Sequence, residues 1–180
     1  TNPYSLSNRF VYPIVKDREG GIWIGTFYGG VNYLSPNTGQ FECFAHSRFS
    51  NSVNGTVIGR FCEDTYGHIW IASDDGGLSC FSPKDKHFTH YLPDEHRNSL
   101  SYHNVHALCM DGDDLWIGTY TGGVNVLNTK TGVFRVYTTK AGDPTTLDRS
   151  SSYAIFKDRE ARIWVTSMSG VNLYNREEDN

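Results

Sequence analysis

Asp74 and Asp75 stand side by side, and paired carboxylates are what glycoside cleavage requires, one to protonate the leaving group and one to act as base or nucleophile. The two acids must face each other across the bond, whereas neighbouring turn residues point apart, so this pair reads as turn-forming. Asp17, Asp64, Asp111 and Asp158 recur in equivalent places, which suits a structural Asx-type turn better than one active site. His87 and His90 are three residues apart, as are His103 and His106, but on a strand that spacing sends the two rings to opposite faces. Cys43, Cys62, Cys80 and Cys109 contain no C-x-x-C spacing and join no Cys/His cluster, so no metal site is expected and the thiols are expected to be free and buried. No Gly-x-Ser-x-Gly, phosphate loop or dinucleotide fingerprint occurs. Neither a catalytic residue nor a cofactor is therefore expected in this segment.

The elements that position these residues follow from an internal repeat. Trp23, Trp70, Trp116 and Trp164 are separated by 47, 46 and 48 residues. Around them run Gly20-Gly-Ile-Trp-Ile-Gly-Thr26, Gly67-His-Ile-Trp-Ile-Ala-Ser73, Asp113-Asp-Leu-Trp-Ile-Gly-Thr119 and Ala161-Arg-Ile-Trp-Val-Thr-Ser167. Upstream, a branched apolar residue precedes each repeated Asp by eleven positions, from Leu6, Val53, Leu100 and Leu147. Downstream come Gly29-Gly-Val-Asn32, Gly76-Gly-Leu-Ser79, Gly122-Gly-Val-Asn125 and a shortened Gly170-Val-Asn172. An aromatic pair closes three units: Phe41 and Phe44, Phe88 and Tyr91, Phe134 and Tyr137.

Each unit reads as four short strands, A to D, joined by Gly-rich turns, with the Trp in strand B and the aromatic pair in strand D. Four-strand meanders at this period are the mark of propeller blades. The expected fold is all-β, a propeller segment of about four blades over residues 8–47, 55–92, 102–139 and 151–175, the last lacking strand D. Composition agrees: 25 aromatic residues and 18 glycines stand against six alanines and two methionines, a poor inventory for helices. Apolar residues on both sides of strand A, as Phe61 beside Cys62 and Ile155 beside Phe156, predict that both sheet faces are covered.

The unit from Leu100 to Asn125 and its copies resemble the two-component regulator propeller repeat, and Asn2-Pro-Tyr-Ser-Leu6 and Asp143-Pro-Thr-Thr-Leu147 match the segment that precedes such units. The resemblance implies the extracytoplasmic, periplasmic sensor half of a hybrid two-component histidine kinase of Bacteroidetes. It further implies an oligosaccharide ligand in the intact protein, further propeller blades in the same chain and a homodimer of the parent. Asp-x-x-Gly-x-Ile-Trp also resembles the sialidase Asp-box, but the Asp lies one place too far from the Trp and no arginine cluster accompanies it. A propeller glycan hydrolase or lyase is one alternative reading. A protein-interaction propeller of the Trp-Asp type is another, disfavoured because no Trp is followed by Asp.

Strand order puts the D-to-A and B-to-C loops on one rim, and there the copies differ most. Sugar recognition needs flat aromatic faces for the apolar side of the ring and carboxylate, amide or guanidinium groups for the hydroxyls. The candidate ligand-binding residues on this rim are Arg9, Tyr28, Asp74, Asp75, His103, Asn104, Tyr120 and Arg149. A net charge of -4 from 16 basic and 20 acidic residues interspersed along the chain provides no field for nucleic acid or anionic lipid. No apolar run approaches the ~20 residues that span a bilayer. Opening on Thr-Asn-Pro, without Met or a signal-like stretch, the chain is expected to be a processed piece of a longer one.

Overall fold

A computed structural model describes residues 4–48 and 51–180. Asn2 and Pro3, in the segment matched ahead of the first repeat, lie outside the described residues. Fifteen strands and no helix are found among the described residues. They form four antiparallel meanders. The first holds Val11–Lys16 (β1), Ile22–Thr26 (β2), Val31–Leu34 (β3) and Phe41–Phe44 (β4). The second holds Ile58–Glu63 (β5), Ile69–Ser73 (β6), Gly77–Ser82 (β7) and His87–Tyr91 (β8). Val105–Asp111 (β9), Asp114–Thr119 (β10), Val124–Asn128 (β11) and Phe134–Tyr137 (β12) make the third, and Ala154–Lys157 (β13), Ile163–Thr166 (β14) and Val171–Leu173 (β15) the fourth. Two compact units, Thr1–Tyr91 and Leu92–Asn180, hold two sheets each.

The register explains the repeat. Trp23 stands opposite Val15 and Tyr33, while Ile24 stands opposite Ile14 and Asn32, so each sheet has a Trp face and an Ile face. In the first unit Trp23, Val31 and Phe44 of the first sheet pack against Phe61, Ile69, Ile71, Phe81 and Phe88 of the second. The second unit repeats this arrangement, with Trp116, Val124 and Val126 against Ile155, Ile163 and Val165. Close approach of the sheets demands a small residue two positions after each covered Trp. A Cβ on Gly25 would sit 2.5 Å from Pro13 and 2.6 Å from Ile58, and one on Gly118 would sit 2.5 Å from Ser152 Oγ.

The tryptophans of the first three sheets are buried. Their Asp partners account for the second half of the motif. Trp23, Trp70 and Trp164 each donate Nε1–H to the Asp six residues earlier, at 2.9, 3.0 and 2.8 Å, and Asp17, Asp64 and Asp158 each also accept the backbone N–H four residues on. Asp111 departs from the expected Asx turn. Its turn is one residue shorter, so Asp111 lies five residues before Trp116, and Trp116 Nε1 is buried without a hydrogen-bond partner. Asp111 turns to cations, Lys157 at 3.2 Å and Arg176 at 2.7 Å.

Two expectations need correction. The thiols are free, but Cys43, on the edge strand β4, is exposed, and Cys62, Cys80 and Cys109, which stand opposite Trp70 or Trp116, are only partly covered. Nor are both faces covered in every sheet: Phe156 is 63% exposed and Ile14 62%, although Phe61 and Ile155, at the place of Ile14 in their own sheets, are 7% and 9% exposed. Only one face of β1–β4 and one of β13–β15 meets the partner sheet of its unit.

Candidate functional site

The loops at one end of each sheet are built by a repeated clamp. The strand C Asn of the Gly-Gly-Val-Asn motif reaches back to the loop that enters strand A. Asn32 Oδ1 accepts Ser7 N–H at 2.9 Å, Asn125 Oδ1 accepts Ser101 N–H at 2.8 Å and Asn172 Oδ1 accepts Asp148 N–H at 3.0 Å. In the second sheet the partners are exchanged, Ser79 Oγ accepting Asn54 N–H at 3.2 Å. A second set of bonds ties the end of strand B to the start of strand A: Phe27, Asp74 and Tyr120 donate their N–H to the carbonyls of Phe10, Val57 and Asn104. At this end each sheet thus combines repeated framework hydrogen bonds with side chains that vary between copies.

In the first unit this framework gathers Arg9, Tyr28, Asp74 and Asp75. Arg9 is exposed and its guanidinium lies over Phe10 at 4.9 Å. Tyr28 is 72% exposed with φ of 64°, its ring edge-on to Phe27 at 5.1 Å, and its N–H is donated to Thr56 O at 2.9 Å. On the far side of Thr56 sits Asp75. Its carboxylate accepts the Thr56 N–H at 2.9 Å, the Val57 N–H at 3.1 Å and the Thr56 and Ser73 hydroxyls at 2.6 Å each. Partial burial pushes this acid up, but the hydrogen bonds from Ser73, Thr56 and Val57 outweigh it and hold it at about 2. Asp75 is therefore an anion that organises the loop, while Asp74 is half-buried beside it.

The second unit carries His103, Asn104, Tyr120 and Arg149, with His106 and Tyr153 packed beside Tyr120. His103 is exposed with its ring 4.6 Å from Tyr102. Tyr120, 44% exposed, meets His106 edge-on at 5.7 Å, and His106 lies 5.3 Å from Tyr153. Asn104 Oδ1 is buried there without a hydrogen-bond partner. Arg149 is exposed beside Asp148, whose carboxylate accepts Ser167 and Ser169 hydroxyls and the Asn172 amide. The signal for His106 and Tyr153 was available: with Tyr12 and Gly59 they form one column at intervals of 47 in which types vary while flanking positions repeat.

An opening of about 1000 Å³ lies at the opposite ends of the first unit's sheets, lined by Trp23, Tyr33, Phe44 and Tyr66 and by the acids Asp17 and Glu42. None of the eight candidate residues lines it. Among the described residues no group of three or more His, Cys, Asp or Glu side chains could hold a metal ion.

The two component regulator propeller family matches residues 5–28, 52–75 and 99–121. No curated protein sequence matches the chain. Among solved structures, the chain is similar to the extracellular domain assigned to the hybrid two component system BT3049 of B. thetaiotaomicron, at 22% identity and a TM-score of 0.76, over 98% of this chain and 30% of that one. The extracellular domain assigned to the hybrid two component system BT4673 of the same organism is similar at 24% identity and 0.77, over 96% and 22%. The chain thus spans less than a third of the length of these structures. A virginiamycin B lyase from Staphylococcus aureus, solved with quinupristin, is similar at 17% identity and 0.63, over 96% and 58%. At these identities the likenesses show a propeller fold. The matched segments run from each strand A loop through the Trp strand to the start of the Gly pair, in the first three sheets, and the chain is accordingly an all-β propeller segment whose first three sheets each carry a match to the two component regulator propeller family.

Proposed function

We propose that these blades belong to the ligand-sensing head of the extracytoplasmic, periplasmic part of a hybrid two-component sensor kinase. The ligand is an oligosaccharide released from a glycan, and no covalent chemistry takes place in this segment. Binding is passed on by biasing two arrangements of a homodimer of the parent chain, towards a kinase beyond the membrane. The observation that supports this reading is, in the second unit, the exposed ring of Tyr120 beside a buried Asn104 Oδ1 lacking a donor; in the first unit Tyr28 is exposed on the equivalent loop. A sugar hydroxyl supplies that donor, and the apolar side of its ring lies on the tyrosine. Arg9, Asp74, His103 and Arg149 serve further hydroxyls, and Asp75 holds the loop that presents Tyr28.

Titration calorimetry of the intact extracytoplasmic region against a panel of glycan oligomers tests this. The expected result is binding of one oligomer class without turnover, weakened about tenfold by Tyr120→Ala or Asn104→Ala, roughly the loss of one hydrogen bond or one stacked ring. Turnover of the oligomer would establish the alternative, a propeller lyase or hydrolase, towards which the likeness to the virginiamycin B lyase points at the level of fold.

A further inference from the structure

The repeated Asp at the end of strand A keeps a basic group beside it in three of the four sheets. Asp64 Oδ2 lies 2.9 Å from His68 Nδ1. Asp111 holds Lys157 and Arg176 at 3.2 and 2.7 Å. Asp158 accepts Arg162 Nε at 2.6 Å, and the same guanidinium lies over the Trp164 ring at 5.4 Å. The first sheet breaks the pattern. Asp17 accepts the Trp23 indole N–H at 2.9 Å and the Gly21 N–H at 2.7 Å, but among the described residues no cation pairs with it. Its neighbour Arg18 is committed to Glu63 of the second sheet, at 2.9 Å.

The difference originates two residues before the Trp, where His68 and Arg162 stand in their sheets and Gly21 stands in the first. Tyr33 takes the space that a side chain at 21 would fill: a Cβ on Gly21 would run into its ring, which lies 4.6 Å from that of Trp23. The exchange supplies an aromatic face and no charge. Asp17 and Tyr33 both line the opening of about 1000 Å³ in the first unit. Burial pushes the Tyr33 phenol up, and Asp17, Glu19 and Glu42 push it further. Two of the bases along the opening are already engaged, Lys86 at 3.5 Å from Glu42 and His68 on Asp64. Among the described residues this leaves Asp17, Glu19 and Asp85 without ion pairs, against one unpaired base, Lys84.

We infer that this opening is a guanidinium-binding site whose ligand is an arginine carried on a basic peptide segment. The fourth sheet shows the seat occupied from within the chain. Asp158 Oδ2 accepts both the Trp164 indole and Arg162 Nε, so the bond from Trp23 leaves Asp17 Oδ2 able to accept the same second donor. The incoming guanidinium pairs with Asp17 as Arg162 pairs with Asp158, and its plane lies on Tyr33 as that of Arg162 lies on Trp164. A lysine ammonium is a point charge without the plane that serves both contacts. An opening of about 1000 Å³ is far larger than one arginine side chain, and it admits the flanking residues beside Glu19 and Asp85. The site stands at the opposite ends of the sheets from the rim and is independent of any sugar ligand.

The test titrates the end-capped peptide Gly-Arg-Gly into the isotope-labelled 180-residue chain and follows the indole N–H signals of Trp23 and Trp70 by nuclear magnetic resonance. The Trp23 signal is expected to move saturably while that of Trp70, whose Asp64 already has His68, stays in place. The same peptide with citrulline for arginine keeps the shape and loses the charge, and is expected to bind at least about tenfold more weakly. Gly21→Arg combined with Tyr33→Leu rebuilds the Arg162 and Leu173 pair of the fourth sheet and should abolish binding by filling the seat. Glu19→Gln, on an exposed turn where folding is unaffected, should weaken binding about twofold. A Trp23 signal that does not move, equal binding of the citrulline peptide, or undiminished binding by the folded double variant would overturn the inference.

Discussion

Trp70 and Trp116 are equally buried, at 3% exposure, yet one donates to Asp64 and the other has no acceptor. Removing the indole N–H should therefore cost more at the first. Trp70→Phe strips a donor from a buried carboxylate, whereas Trp116→Phe removes a donor that is already unsatisfied. The difference in unfolding free energy is expected to be about 1–2 kcal/mol, and denaturant melts of the two variants measure it. Asp75 offers a pH test. Its acid is held at about 2 in the folded chain, below the ordinary carboxylate value of ~3.9, so its contribution is present in full above about pH 4 and fades as pH falls towards 2. Asp75→Ala should cost on the order of 1 kcal/mol at pH 7, discounted for its exposure, and should flatten the stability curve between about pH 4 and 2. An unchanged acid limb would mean that the loop does not depend on this anion.

Strand B is the element on which the sheets meet, and its small residues record the contact. Gly118→Val would drive a side chain into Ser152 and Ala107, at a cost of about 1–3 kcal/mol for overpacking. Thr166 occupies the same place in the fourth sheet, at the edge of a face that no other sheet of its unit covers, so Thr166→Gly should cost about 1 kcal/mol or less, chiefly from backbone freedom. Thermal melts compare the two. The Trp spacing, the turn glycines and the strand D aromatics made these elements legible before any coordinates, because a period-two register and a tight turn are written in neighbouring residues. The one-residue shortening before Trp116 was equally visible as a spacing of 46, but its consequence was not. Only the folded turn shows that Asp111 leaves the indole for Lys157 and Arg176.

At larger scale, the Ile face of β1–β4 is open at Ile14 and the Trp face of β13–β15 at Val171, with 62% and 63% exposure. Charge should be tolerated there and nowhere comparable inside a unit. Ile14→Lys is expected to change stability by less than about 0.5 kcal/mol, as at an ordinary surface position, while Phe61→Lys at the equivalent buried place unfolds the first unit. Circular dichroism melts distinguish them, and a cooperative native melt of Phe61→Lys would contradict the packing. The rim was half legible at this scale. Variation between copies marked Tyr28 and Tyr120, because a repeated framework makes unrepeated residues stand out. It could not separate Asp75, consumed by its own loop, from residues free to meet a ligand. By itself the sequence determined the all-β class, the repeat and the strand order, since these follow from local periodicity and turn chemistry. The tertiary structure alone decided which face of each sheet is covered, which Trp lacks its Asp and which rim groups are already bonded. Those depend on contacts between residues tens of positions apart, and no local pattern encodes their distances.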